Sequence, residues 1–134
     1  MAAKILVVDD DPIIRELLAI HLRNAGYEVR TAEDAIAAGY GVLRERPDLI
    51  ISDVNMPHLD GFQFIEALRS DGALRGIPVI FLTSQEGFEH VGKELGAVGF
   101  VPKPVSADRL LSLVAANVPG GVHPLGSRRT ECRT

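Results

Sequence analysis

The segment Ile5-Leu6-Val7-Val8 is a continuous apolar run with no polar alternation, and it stops abruptly on Asp9-Asp10-Asp11. A strand with one wet face alternates apolar with polar residues, whereas a strand apolar at every position is covered on both faces, as in a parallel sheet. Immediately afterwards Pro12 fits a first helical position, with Asp11 as its cap. Ile13, Ile14, Leu17, Leu18 and Leu22 then recur at helical spacing until Gly26 closes the helix. The chain therefore begins with one β-then-α unit.

The pattern repeats. Glu28 to Ala32 is a short strand, and Asp34 to Arg44 a helix weakened by Gly39 and Gly41. Leu49 to Ser52 is a third strand ending at Asp53, followed by a helix from Phe62 to Ser70 with Phe62, Ile65 and Leu68 on one face. Ile77 to Leu82 forms a fourth apolar strand ending at Thr83 and Ser84, and a helix from Glu86 to Leu95 stops at Gly96. A fifth strand runs near Gly99 to Val101, and Ala107 to Asn117 forms the last helix with Ser106 as its cap. Phe62, Phe64 and Phe81 are expected in or near the core. This alternation predicts the α/β class, a five-stranded doubly wound parallel sheet covered by five helices. Right-handed crossovers bring every strand's carboxyl end to one edge, where ligand sites collect. Asp9, Asp10, Asp53, Thr83, Ser84 and Lys103 stand at those ends.

The 134 residues suffice for one domain with a sizeable core, predicted over residues 4–118, with 119–134 a flexible tail. Apolar residues make up 46% of the chain, yet no run approaches a membrane span. Met1 to Lys4 does not resemble a secretory leader, so a cytoplasmic protein is predicted. A net charge of −4 argues against direct nucleic-acid binding. The single cysteine, Cys132, can form neither an internal disulfide nor a cysteine metal cluster. The tail, with Arg128, Arg129 and Arg133, lacks hydrophobic periodicity and is expected to be disordered and solvated.

Three carboxylates meeting at one edge repel one another, raising at least one pKa, and a divalent cation relieves the repulsion. Oxygen-only ligands favour a hard ion, Mg²⁺ above zinc or copper. Asp11 needs only to cap the helix, but capping uses one aspartate of the three. An aspartate can act as nucleophile toward a phosphoryl group, whose charged oxygens then need cationic stabilisation and hydrogen-bond donors. Lys103 and the Thr83 hydroxyl have the right chemistry.

Ile5-Leu6-Val7-Val8-Asp9-Asp10-Asp11-Pro12, Asp53-Val54-Asn55-Met56-Pro57-His58-Leu59-Asp60-Gly61, Leu82-Thr83-Ser84 and Lys103-Pro104 together resemble the receiver domains of two-component response regulators, over about residues 4–117. The resemblance implies the strand order 2-1-3-4-5. It implies that Asp53 is the phosphoacceptor, served by a sensor histidine kinase or phosphotransfer protein. It assigns Mg²⁺ to Asp10 directly, to Asp9 mainly through water, to Asp53 and to the Asn55 carbonyl. It makes Thr83 the hydroxyl that moves to the phosphoryl group, Lys103 its ionic partner, Phe100 the aromatic switch and Pro104 a cis-proline. Phosphorylation would change binding to an effector or fused output domain. The chain would be a switch and not an enzyme beyond self-phosphorylation from a donor and slow self-dephosphorylation. No effector domain follows residue 118, so a stand-alone receiver and a piece of a longer regulator are both open.

The sequence also departs from the family pattern. Only 19 residues separate Thr83 from Lys103, a couple fewer than in familiar members, the shortening falling around Gln85 to Phe88. That predicts an unusual fourth helix or preceding loop, on a surface the family uses for partners and dimers; a homodimer through the fourth helix, fifth strand and fifth helix is open. Pro102 removes a backbone donor before Lys103, and Val105 stands where an aromatic is frequent. Of the histidines, His21 lies on the first helix, and His58, near the active edge, is expected to be merely exposed. Two other classes compete. A metal-dependent phosphohydrolase with an aspartyl nucleophile usually needs an acid two residues beyond it, where this chain has Asn55. A pseudo-receiver acting only as a binding module would not need the acid, hydroxyl and lysine set.

Overall fold

The computed structural model describes residues 2–84, 87 and 89–119. Its elements in chain order are β1 (Lys4–Val8), α1 (Pro12–Asn24), β2 (Glu28–Ala32), α2 (Ala35–Arg44), β3 (Leu49–Asp53), α3 (Gly61–Arg69), β4 (Val79–Thr83), α4 (Glu89–Glu94), β5 (Gly99–Pro102) and α5 (Ala107–Asn117). The strands form one parallel sheet in the order β2-β1-β3-β4-β5, the expected architecture.

The unbroken apolar runs now have their reason. Side chains alternate along a strand, so β1 sends Ile5 and Val7 into a core with Leu18 and Leu22 of α1 and Leu110 and Val114 of α5. It sends Leu6 and Val8 the other way, among Ala38 and Val42 of α2 and Phe64, Ile65 and Leu68 of α3. Every residue of β3 and β4 is buried, and full burial of each Ile or Leu contributes about 1.5–3 kcal/mol. The edge strand β2 buries only Ala32, which is why its Glu28 and Arg30 are tolerated; Arg30 Nη2 pairs with Glu45 at 2.7 Å.

Helix ends follow local chemistry. The Asp11 carboxylate accepts from the Ile13 N–H at 2.9 Å and the Ile14 N–H at 3.4 Å, and Pro12 occupies the first turn. At the far end Gly26 adopts φ +100°. Its N–H donates to the Arg23 carbonyl, and the Tyr27 N–H to that of Leu22, a closure that needs a left-handed residue. Asp60 and Gln63 cap α3 reciprocally.

The differences from expectation sit at element ends. Helix α3 begins at Gly61 and ends at Arg69, because Asp60 caps it and Ser70 closes it. The fourth strand starts at Val79, two residues after Ile77, which is buried in the approach to it. Helix α4 runs from Glu89 to Glu94, six residues. The expected start at Glu86 and the shortened stretch through Gln85 and Phe88 lie outside the described residues, as does residue 120 onward, including Cys132 and the tail arginines. Among the described residues, no helix is long and apolar enough to cross a membrane.

Candidate functional site at the carboxyl ends of the strands

Three consecutive aspartates leave β1 and do three different things. Asp9 is fully buried. Its Oδ1 accepts from the Asp11 N–H at 2.9 Å, and its own N–H donates to the Ala32 carbonyl at 3.2 Å. Asp10 is exposed, and Asp11 caps α1. Asp53 ends β3 and is 3% exposed, and its Oδ1 accepts from the Asn55 N–H at 3.4 Å. Ligand oxygens of Asp9, Asp10 and Asp53 lie within 4.8 Å of one another.

Lys103, just past β5, brings the balancing charge. Its Nζ lies 3.1 Å from Asp9 Oδ2 and 3.2 Å from Asp53 Oδ2. Its backbone N–H donates to the Thr83 carbonyl at 2.8 Å. Pro102, with no donor, sits opposite Thr83 in the register, so the hydrogen bond that fixes this corner is made one residue later, by Lys103. The Lys103–Pro104 peptide bond is cis. Thr83, the last residue of β4, is 5% exposed.

One ammonium faces two buried carboxylates. Burial, and then the charge of Asp9, push the Asp53 carboxyl up to about 6 although Lys103 pulls it down. Burial acts to lower Lys103, but Asp53 and Asp9 outweigh it and hold the ammonium above its ordinary value. Asp9 Oδ2, in ion-pair contact with Lys103, accepts no hydrogen bond among the described residues. A buried carboxylate oxygen without a hydrogen bond, within a cluster whose side-chain donors are all oxygen, is a fit for a hard divalent cation.

Phe100 lies across from Phe81 in the sheet register. The two ring centroids are 5.6 Å apart, and Phe62 stands edge-on to Phe81 at 4.9 Å. The row thus runs from α3 across β4 to β5, on the same face of β4 as Thr83. The segment 54–60 after Asp53 places Asn55 and His58 on the surface, His58 at φ 71°.

Sequence reasoning overlooked three supports. Arg15 Nη1 donates to the Asp9 carbonyl at 2.9 Å and the Ser52 hydroxyl to the Asp53 carbonyl at 3.0 Å. Gly61 packs so closely that a Cβ would overlap the Asp53 carbonyl oxygen and come within 3.1 Å of the Val54 Cα. Ser52 was legible as the one polar residue of an otherwise apolar strand interior.

A family model described as the response regulator receiver domain matches residues 5–115. Response regulator MprA of Mycobacterium leprae is 38% identical over 115 residues, which is 84% of this chain and 50% of that protein. The DNA-binding dual master transcriptional regulator RpaA of Synechocystis is 36% identical over 84% of this chain and 48% of its own length. The chain therefore spans about half the length of these curated relatives. The solved structure of the chemotaxis response regulator CheY4 of Vibrio cholerae superposes with a TM-score of 0.82 at 38% identity, covering 88% of this chain and 100% of that one.

Proposed function

The chain belongs to the response regulator receiver domain family, and from that premise we propose that it is a switch set by a phosphoryl group on Asp53. The observation that carries this reading is the convergence of Asp9 and Lys103 on the buried Asp53 carboxylate.

Residues Asp9, Asp10 and Asp53, with the Asn55 carbonyl, would hold Mg²⁺. When bound, the cation neutralises carboxylate repulsion and offsets charge on the phosphoryl oxygens. A carboxylate oxygen of Asp53 attacks phosphorus, and the bond to the donor breaks. For a phosphohistidine donor that bond is P–N, and its electron pair returns to the imidazole, which picks up a proton. The Lys103 ammonium turns from Asp53 to the incoming phosphoryl oxygens, and the Thr83 hydroxyl donates to another of them. Attack of water on phosphorus slowly releases inorganic phosphate and restores the carboxylate.

The new charge, about −1.5 to −2, biases the segments carrying Thr83 and Phe100, including α4 and β5, between two arrangements. The donor in this reading is a histidine kinase or phosphotransfer protein in the cytoplasm. The output passes to a separate effector or a fused domain and not through direct nucleic-acid contact by this chain, whose net charge is −4. Receiver domains are switches and not turnover enzymes, and Asn55 in place of a general acid agrees with that. Residues 4–118 form the receiver in this account and 119–134 a tail.

The test is intact mass after incubation with acetyl phosphate. The expected result is a gain of one phosphoryl group with Mg²⁺, none with EDTA and none in Asp53→Ala. A gain in Asp53→Ala equal to the parent's would overturn the assignment.

A further inference from the structure

Helix α2 is out of keeping with a surface helix. Its ten residues carry one charge, Arg44, at the last position. Ala35, Ala38 and Val42 face the core, but Ile36, Tyr40 and Leu43, spaced i, i+4 and i+7, stand 54%, 66% and 73% exposed on the outer side. Single exposed apolar residues are ordinary, whereas a contiguous stripe on a helix apolar all round marks a surface that something covers.

Beside the stripe a groove of about 370 Å³ runs between α2 and α3, with Ile36, Gly39, Tyr40 and Leu43 on one wall and Leu59 and Phe64 on the other. A Cβ on Gly39 would meet nothing within 4 Å, so the stripe has a dent at its middle, next to the Tyr40 ring.

We propose that this face is a homodimer interface in which α2 packs antiparallel against α2 of a second copy, the Tyr40 ring of each chain entering the Gly39 dent and groove of the other. The distribution of charge selects a second copy as occupant. Exposed Glu33 stands at the amino end of the stripe and exposed Arg44 and Arg46 at the carboxyl end, while Asp34 is engaged as the cap of α2 and Glu45 is neutralised by Lys4 and Arg30. A two-fold antiparallel arrangement lays the acidic end of each copy on the basic end of the other and sets Ile36 against Leu43. That is the self-complementarity an isologous interface requires. Opposed helix dipoles add to it. The face is distinct from the one formed by α4, β5 and α5.

The test is sedimentation of the 134-residue chain over a concentration series reaching the millimolar range. The interface is smaller than a standard one, so the expected behaviour is a weak, reversible monomer–dimer equilibrium. Tyr40→Glu weakens it at least tenfold, and Leu43→Lys probes the same stripe independently, with circular dichroism confirming that each variant folds. Arg46→Glu also weakens association, and the reciprocal swap Glu33→Arg with Arg46→Glu in one chain restores it, because this register sets position 33 of one copy opposite position 46 of the other. A chain that stays monomeric throughout, a dimer indifferent to Tyr40→Glu and Leu43→Lys, or a swap that fails to restore association overturns the proposal; the first leaves the groove to a different protein.

Discussion

Lys103 Nζ stands 3.2 Å from Asp53 Oδ2, so an ammonium at the end of β5 reaches past β4 to the carboxylate that ends β3. The same ammonium is 3.1 Å from Asp9 Oδ2. Sharing one cation between two buried acids leaves the site short of positive charge, the condition under which a bound divalent cation would be favoured.

The first consequence is a stability penalty in the metal-free protein. Burial and Asp9 raise Asp53 from an ordinary 3.8 to about 6, so the ionised form is disfavoured in the fold by about 2–3 kcal/mol. An acid with a raised folded pKa is protonated in both states below pH 4, and the penalty is absent there. It grows between pH 4 and about 6 and is complete above. Asp53→Asn in EDTA should therefore raise unfolding stability by about 2 kcal/mol at pH 8, with the gain vanishing toward pH 4. Urea unfolding at the two pH values measures it, and an equal gain at both would refute the electrostatic cause.

The aspartates after β1 should separate by role. Asp10 is exposed and belongs to the carboxylate cluster, so Asp10→Ala should weaken Mg²⁺ binding at least tenfold with little effect on stability. Asp11 caps α1 through two backbone N–H groups, so Asp11→Ala should cost about 1 kcal/mol while Mg²⁺ affinity stays within twofold. Calorimetric titration with Mg²⁺ and thermal unfolding of both variants decide it.

A third outcome concerns the contact between Phe100 and α4. Phe100 packs against Gly92 of α4, and a Cβ there would overlap its ring. Gly92→Ala should cost about 1–3 kcal/mol through overpacking. In a Phe100→Ala background the same change should be neutral, or stabilising by up to about 1 kcal/mol from helix propensity. A double-mutant cycle measures the coupling, and equal costs in both backgrounds would show that the ring is not held there.

Much of this was legible in the sequence because the constraints were local or periodic. The runs Ile5–Val8 and Leu49–Ser52 are apolar at nearly every position, and both faces of their strands are covered. Asp11, Pro12 and Gly26 wrote the limits of α1, and Ser106 the start of α5. The strand order was different: alternation of β and α fixes parallel strands but not their sequence in the sheet, and only resemblance to the receiver family supplied it. The site residues were recognisable as strand ends, but not their division of labour. That Asp9 is buried and Asp10 exposed depends on which way each residue leaves β1, and three identical letters carry no such information. Arg69 was also missed. It donates to the carbonyls of Leu95 at 2.8 Å and of Arg75 and Ile77 at 2.7 Å. These partners are remote or irregular, with no periodic signature.

The most direct test of the central claim is reductive mapping of the phosphorylated residue. After incubation with Mg²⁺ and acetyl phosphate, borohydride converts an aspartyl phosphate to homoserine, which peptide mass spectrometry locates. Homoserine at position 53 alone is the predicted result; its appearance at Asp9 or Asp10, or a phosphoryl group that survives borohydride on a hydroxyl such as that of Thr83, would contradict it.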